Sequence, residues 1–168
     1  GFTLAGVRLL GDDRLALAGA IRAVRADLLV ITGGLGCTRD DVTRPAVARA
    51  FGLRLRVDKA VRDQVRERFR SRRLVLTPRY RGFTLLPETA LPVPNPVGLA
   101  SGFLVPGRPA CLVLPGVPGE VEATLHSLGE TLRHAVKQAA DGKPFDSDTI
   151  SPNRADTRFG SALFGEIN

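Results

Sequence analysis

Leu28-Leu29-Val30-Ile31-Thr32-Gly33-Gly34-Leu35-Gly36-Cys37-Thr38-Arg39-Asp40-Asp41 is the stretch on which the fold turns. An apolar, partly β-branched run of five residues closed by two glycines predicts a strand buried on both faces, at the centre of a parallel sheet. Val42, Ala46, Val47 and Ala50 then fall at helical spacing and end at Gly52, which predicts a helix from about Thr38 to Phe51. A glycine-rich turn between strand and helix lies at the carboxyl edge of the sheet, where open α/β folds bind ligands. Without Cβ atoms the backbone can bring several N–H groups against phosphate or carboxylate oxygens. A helix amino terminus near Thr38 would add some tenths to about 1 kcal/mol for an anion. Three glycines in four residues favour anion binding over a plain tight turn.

Outward from this centre, strands and helices alternate. Phe2, Leu4, Val7 and Leu9 alternate loosely and predict a first strand, running into Gly11-Asp12-Asp13. Leu15, Leu17, Ala18, Ile21 and Val24 predict a helix capped by Asp12 or Asp13. Asp58 opens a second, Arg-rich helix to about Arg73. Prolines recur from Leu74 to Val97, which predicts connections and short strands. Gly102 to Val105 and Ala110 to Leu114 flank Pro106-Gly107-Arg108-Pro109 as a hairpin. Gly119 to Ala140 carries Val121, Leu125, Leu128, Leu132 and Val136 on one stripe, a terminal helix. The expected architecture is a three-layer α/β/α sandwich with a mostly parallel sheet and an antiparallel hairpin, over residues 1–140, followed by a tail, 141–168.

Composition suits one globular domain, with 168 residues, 43% hydrophobic and 24% charged. No apolar run approaches the roughly 18 residues of a membrane span, and the first residues lack a signal peptide's basic head, so a cytoplasmic location is expected. The net charge of +7 is concentrated between Arg39 and Arg81, which alone totals +9. That region reads as a solvated helix face rather than a nucleic-acid patch, and a single Tyr with no Trp leaves little for base stacking. Cys37 and Cys111 have neither metal-ligand spacing nor disulfide density and read as free thiols. With no histidine nearby in sequence, a catalytic role for Cys37 is the lesser alternative.

Several further residues carry chemistry. Asp40 and Asp41 follow the glycines; they read either as helix caps or as oxygen ligands for Mg²⁺ or another divalent cation, and Asp41 is the preferred catalytic carboxylate. Asp12 and Asp13 would reach the same sheet edge if the first strand ran parallel to the central one. Asn95-Pro96-Val97-Gly98 and Leu114-Pro115-Gly116-Val117-Pro118-Gly119-Glu120 are rigid turns before and after the hairpin; the Asn95 amide and Glu120 carboxylate could bind ribose or base edges.

Together these pieces resemble the molybdenum-cofactor-biosynthesis domain, more closely its CinA branch than its MogA and MoaB branch. The likeness runs from about Gly1 to Leu132 and is strongest at Thr32-Gly33-Gly34-Leu35-Gly36-Cys37-Thr38-Arg39-Asp40-Asp41-Val42-Thr43. Thr77-Pro78, Leu86-Pro87, Asn95-Pro96-Val97-Gly98 and Leu114-Pro115-Gly116-Val117-Pro118-Gly119-Glu120 follow in the family's order. The resemblance implies a MogA/MoaB-like fold that binds molybdopterin or an adenine nucleotide, with Mg²⁺ where chemistry occurs, in dimers or trimers. It implies essential aspartates at Asp12 and Asp41, and for the CinA branch the metal-dependent hydrolysis of a diphosphate such as ADP-ribose. A pterin- or nucleotide-binding module without turnover, or a molybdopterin adenylyltransferase-like enzyme, are the alternatives. Cys37 stands where the pattern has proline, and Arg79-Tyr80-Arg81-Gly82-Phe83 replaces a more polar stretch. Phe159-Gly160-Ser161-Ala162-Leu163-Phe164-Gly165-Glu166-Ile167-Asn168 looks like the family's first strand and turn placed at the carboxyl end, as in a permuted or partial domain, with Ala162 at an acidic position.

The expected ligand contacts are thus Gly33, Gly34, Leu35, Gly36, Thr38, Asn95, Gly98, Pro115, Gly116 and Glu120. Asp41 and Asp12 are the expected catalytic groups, and Asp40 and Asp41 the metal ligands.

Overall fold

A computed structural model describes residues 3–140, with side chains to 129. Helices lie on both faces of a four-stranded sheet. Strands β1 (Leu28–Thr32), β6 (Ala110–Leu114), β5 (Gly102–Val105) and β4 (Leu91–Val93) stand in that order. β1 pairs parallel to β6, while β6 with β5 and β5 with β4 are antiparallel. The short strands β2 (Leu55–Val57) and β3 (Leu85–Pro87) form a separate antiparallel pair.

Side-chain alternation along the strands produces two cores, since successive residues point to opposite faces. On one face Phe103, Val105, Cys111 and Val113 pack with Ile21, Val47, Val61, Val65 and Phe69. Those last five come from α1 (Arg14–Arg22), α2 (Thr43–Ala50) and α3 (Lys59–Ser71). On the other, Leu104, Leu112, Leu114 and Val93 pack with Leu128 of α4 (Pro118–Ala140). This is the α/β/α layering expected from the sequence.

The predicted hairpin is present with the expected bounds. Asp13, rather than Asp12, caps α1 through bonds from the Leu15 and Ala16 amides (2.7 and 2.9 Å). Asp58 caps α3 through the Val61 amide at 2.8 Å. Between Leu74 and Val97 a 3-10 helix (Pro78–Thr84) joins the short strands.

Four expectations are corrected. Residues 3–10 form no strand, and Leu4, Val7 and Leu9 are exposed; the apolar positions change parity between Leu4 and Val7, so no single face exists to bury. β1 is at the edge of the sheet among the described residues, paired to β6 alone, and Val30 is 48% exposed. Apolarity reports burial, and only pairing decides which strand is central. The third concerns α2, which begins at Thr43 and not near Thr38. Pro45 has no N–H to donate and fits only the first helical turn, so a helix starting five residues earlier would lose a bond there. Finally, helical geometry breaks within α4 at Gly129, and Leu125 of the predicted stripe is 41% exposed. The tail 141–168, and with it the strand-like segment 159–168, lies outside the described residues.

Candidate functional site

The parallel pair sets the geometry. β1 and β6 end side by side, Thr32 opposite Leu114, and the Gly33 amide donates to the Leu114 carbonyl at 3.1 Å. Each strand then runs into a glycine turn, and the turns touch: a Cβ on Gly116 would lie 2.9 Å from the Gly33 Cα. Gly33 has φ +95°, so a side chain is excluded by conformation at one turn and by contact at the other. Beside this crevice, on the α4 face, lies an open groove of about 690 Å³ lined by Thr32, Gly116, Pro118, Val121 and Leu125, with Glu122 and His126. Glu122 and His126 are four residues apart on one helix face, a spacing visible in sequence but not among the expected site residues.

The other end of the glycine turn is organised from within. The Asp41 carboxylate accepts from the Gly36 amide (2.7 Å), the Thr38 amide (2.8 Å) and the Thr38 hydroxyl (2.6 Å). Gly36 packs so closely on that carboxylate that a Cβ there would overlap it. The amides of Gly36 and Thr38, expected to face a ligand, are therefore turned onto the protein's own anion. The cradle is internally filled on this side and open on the Gly33–Gly116 side. Asp40 and Asp41 lie in the turn ahead of α2, not in its first turn as expected, and Asp40 is exposed. Burial pushes the Asp41 carboxyl up, but the bonds from Thr38 and Gly36 and the Arg44 charge outweigh it and hold it below its ordinary value. Asp12 is exposed ahead of α1, without the strand that was to carry it.

The two proline-rich turns do meet. Asn95 is fully buried: its Nδ2 donates to the Glu120 carboxylate (2.6 Å) and the Ala100 carbonyl (3.0 Å), while its Oδ1 accepts from the Gly98 and Val97 amides (2.8 and 3.1 Å). Gly98 touches both Asn95 and Glu120, so a Cβ there would overlap them. Arg68 and Arg72 donate to the Asn95 and Val97 carbonyls. Burial and the Arg72 charge push Arg68 down, while Glu120 opposes them. Asn95 thus spends its amide on the fold, whereas Glu120 keeps its second oxygen.

Sequence reading missed Arg44. The residue is buried, with 3% exposure, and Nη1 donates to the Leu35 and Gly36 carbonyls (2.6 and 3.2 Å). Nε and Nη2 are buried with no partner among the described residues. A cation at the second position of an amphipathic helix carries no sequence signal for burial. Elsewhere in the positive region Arg56, Arg62, Arg66 and Arg70 make surface ion pairs with Glu88, Asp63 and Glu67.

Among the described residues no group of three or more His, Cys, Asp or Glu side chains could cage a metal. The donor chemistry at the turn fits a different mode. Three of the roughly four lone-pair sites of Asp41 are used, leaving one on Oδ1, and Asp40 is free in solvent. Mg²⁺ is commonly held by one or two carboxylates together with ligand phosphates and water. Asp40 and Asp41 would hold it in that way. No described helix is long and apolar enough to cross a membrane.

Known proteins resemble this chain in sequence and fold. A CinA-like protein of Citrifermentans bemidjiense is 42% identical over 118 residues, which cover 68% of this chain and 28% of that one. A protein of Pyrobaculum arsenaticum is 36% identical over 135 residues, covering 79% and 51%, so the chain spans about half the length of that relative. The solved structure of the protein CinA with unknown function from Thermoplasma acidophilum matches with TM-score 0.65 and 34% identity, over 71% of each chain. The profile of the probable molybdopterin binding domain matches residues 1–134, and the chain belongs to that family, in its CinA-like branch.

Proposed function

We propose that the domain binds the phosphate-bearing part of a nucleotide or a pterin where Gly33 and Gly116 meet, and hydrolyses a diphosphate such as ADP-ribose. The observation that carries this is the side-by-side ending of two parallel strands in touching glycine turns, next to a groove of small-molecule size. Crevices outside the carboxyl ends of parallel strands are where α/β sheets take ligands, and such pockets commonly span about 300–1,000 Å³. Membership of a molybdopterin-binding family supports a pterin or nucleotide as the occupant.

The parts have distinct tasks. The Gly33 and Gly116 backbones admit the ligand's phosphates closely, because neither carries a side chain. Val121 and Leu125 offer an apolar wall to a ring, with Glu122 and His126 at its rim. Thr38 and Asp41 hold the turn in shape, and Asp12, exposed ahead of α1, is the second carboxylate that the family resemblance assigns to the proposed reaction. Mg²⁺ bound with the ligand would neutralise charge on its phosphate oxygens. Assembly into dimers or trimers is the expected state.

The test is incubation of the purified chain with ADP-ribose and Mg²⁺, with AMP measured alongside equilibrium binding. Metal-dependent release of AMP supports hydrolysis. Binding without AMP above a blank leaves a binding module, and a chain that neither cleaves nor binds ADP-ribose and has no affinity for a reduced pterin refutes the proposal.

A further inference from the structure

An arginine keeps its charge at any physiological pH, so a buried one requires an anion or a full set of acceptors. Arg44 has neither. One nitrogen, Nη1, is satisfied by two carbonyls of the glycine turn, and the edge formed by Nε and Nη2 is buried and unpartnered. No carboxylate pairs with it among the described residues. Asp41, close enough to act on its charge, is committed to Gly36 and Thr38. Ordered water could accept those N–H groups but would leave the charge uncompensated.

The free edge has a chemistry of its own. Nε–H and Nη2–H project in parallel and match two oxygens of one phosphate, the bidentate geometry in which arginine binds most selectively. The residue is second in α2, so an anion there would also lie at the positive end of an eight-residue helix. The bonds to the Leu35 and Gly36 carbonyls tie the guanidinium to the same turn that meets Gly116.

We infer that Arg44 is a phosphate-binding residue: its Nε–Nη2 edge takes a phosphate group of the ligand when the glycine turn parts to admit it. This rests on the proposal that the turn receives a phosphate-bearing small molecule, and names the side chain that supplies the counter-charge. Competition between the incoming phosphate and the Asp41 carboxylate for the Gly36 and Thr38 amides gives the turn a reason to part.

The test compares the parent protein with R44M, which keeps the stem and removes the charge, and R44K, which keeps the charge and removes the fork. Affinities are measured for ADP-ribose and dihydroneopterin triphosphate, each beside its phosphate-free counterpart, adenosine or dihydroneopterin. The phosphorylated probe that the parent binds identifies the ligand as nucleotide or pterin. R44M is expected to weaken that probe by about tenfold or more and R44K by less, with the phosphate-free compound unchanged. Affinity within about twofold of the parent, or an equal loss for the phosphate-free compound, overturns the inference while leaving the proposed function standing. If R44M lacks a cooperative melt, R44K decides, and parent-like affinity in it overturns the inference. If the parent binds neither phosphorylated probe, the proposed function falls and pyrophosphate decides the rest. A melting temperature raised by millimolar pyrophosphate in the parent and not in R44K keeps Arg44 as an anion site; no rise in the parent removes it.

Discussion

Replacing Asp41 by Asn tests whether the carboxylate organises the glycine turn. In the native chain its two oxygens face three donors: the Gly36 amide, the Thr38 amide and the Thr38 hydroxyl. Asparagine has one acceptor oxygen. If that oxygen keeps the Gly36 bond, its NH₂ group confronts the Thr38 amide; the hydroxyl can rotate to accept, but the backbone N–H cannot. Hydrogen bonds to charged groups contribute about 1.5–3 kcal/mol each, and exposure at Thr38 puts those at the low end or below. The combined loss is then about 2 kcal/mol, which for a chain of this size lowers the melting temperature by about 4–8 °C. The charge dependence has a definite sign. Because Asp41 is held below its ordinary 3.8, its contribution is fully present above about that pH and fades as pH falls through the depressed value. Thermal unfolding of parent and D41N across pH 2 to 7 therefore gives a gap that is constant at neutral pH and closes in acid. Amide exchange at Gly36 and Thr38 should accelerate in the variant. A gap under about 1 °C at pH 7, or one that persists undiminished at pH 2, refutes the role of the charge. Loss of turnover in D41N would be ambiguous without this control, because a disordered turn and a missing catalytic group both abolish activity.

Thiol labelling should separate the two cysteines. Cys37 is partly exposed, whereas Cys111 is fully buried in β6 and burial pushes its thiol up to about 12, so one thiol per chain should react in the native state and two in denaturant. Two fast native thiols would contradict the placement of Cys111. Asn95→Leu removes four bonds at a position with no exposure and leaves the Gly98 and Val97 amides without their acceptor. A destabilisation of about 3–5 kcal/mol is expected, since each unsatisfied buried group costs about 1–3 kcal/mol. Denaturant unfolding measures it, and a loss below about 1 kcal/mol would show that these bonds do not hold the turns together.

Leu28 to Thr32 as a strand, the hairpin of Gly102–Val105 with Ala110–Leu114, a cap at Asp12 or Asp13 and the cap Asp58 could be determined from sequence alone. Each depends on forces that act within a few residues: apolar periodicity, turn chemistry and the orphan amides of a helix end. The order of Gly33-Gly34-Leu35-Gly36, Asn95-Pro96-Val97-Gly98 and Pro115-Gly116 likewise identified the family before any coordinates. Tertiary structure alone decided which strand lies at the sheet edge, that Gly33 touches Gly116, that Asn95 meets Glu120, and that Arg44 is buried with two of its three nitrogens unpartnered. Those are contacts between residues 25 or more positions apart, or burial imposed by neighbours from other elements, and no local pattern encodes them. Asp41 marks the boundary between the two. Its carboxylate beside a glycine turn was legible as chemistry, but which partner it takes depends on the path of the turn, and that path was set by where Pro45 allows the helix to begin.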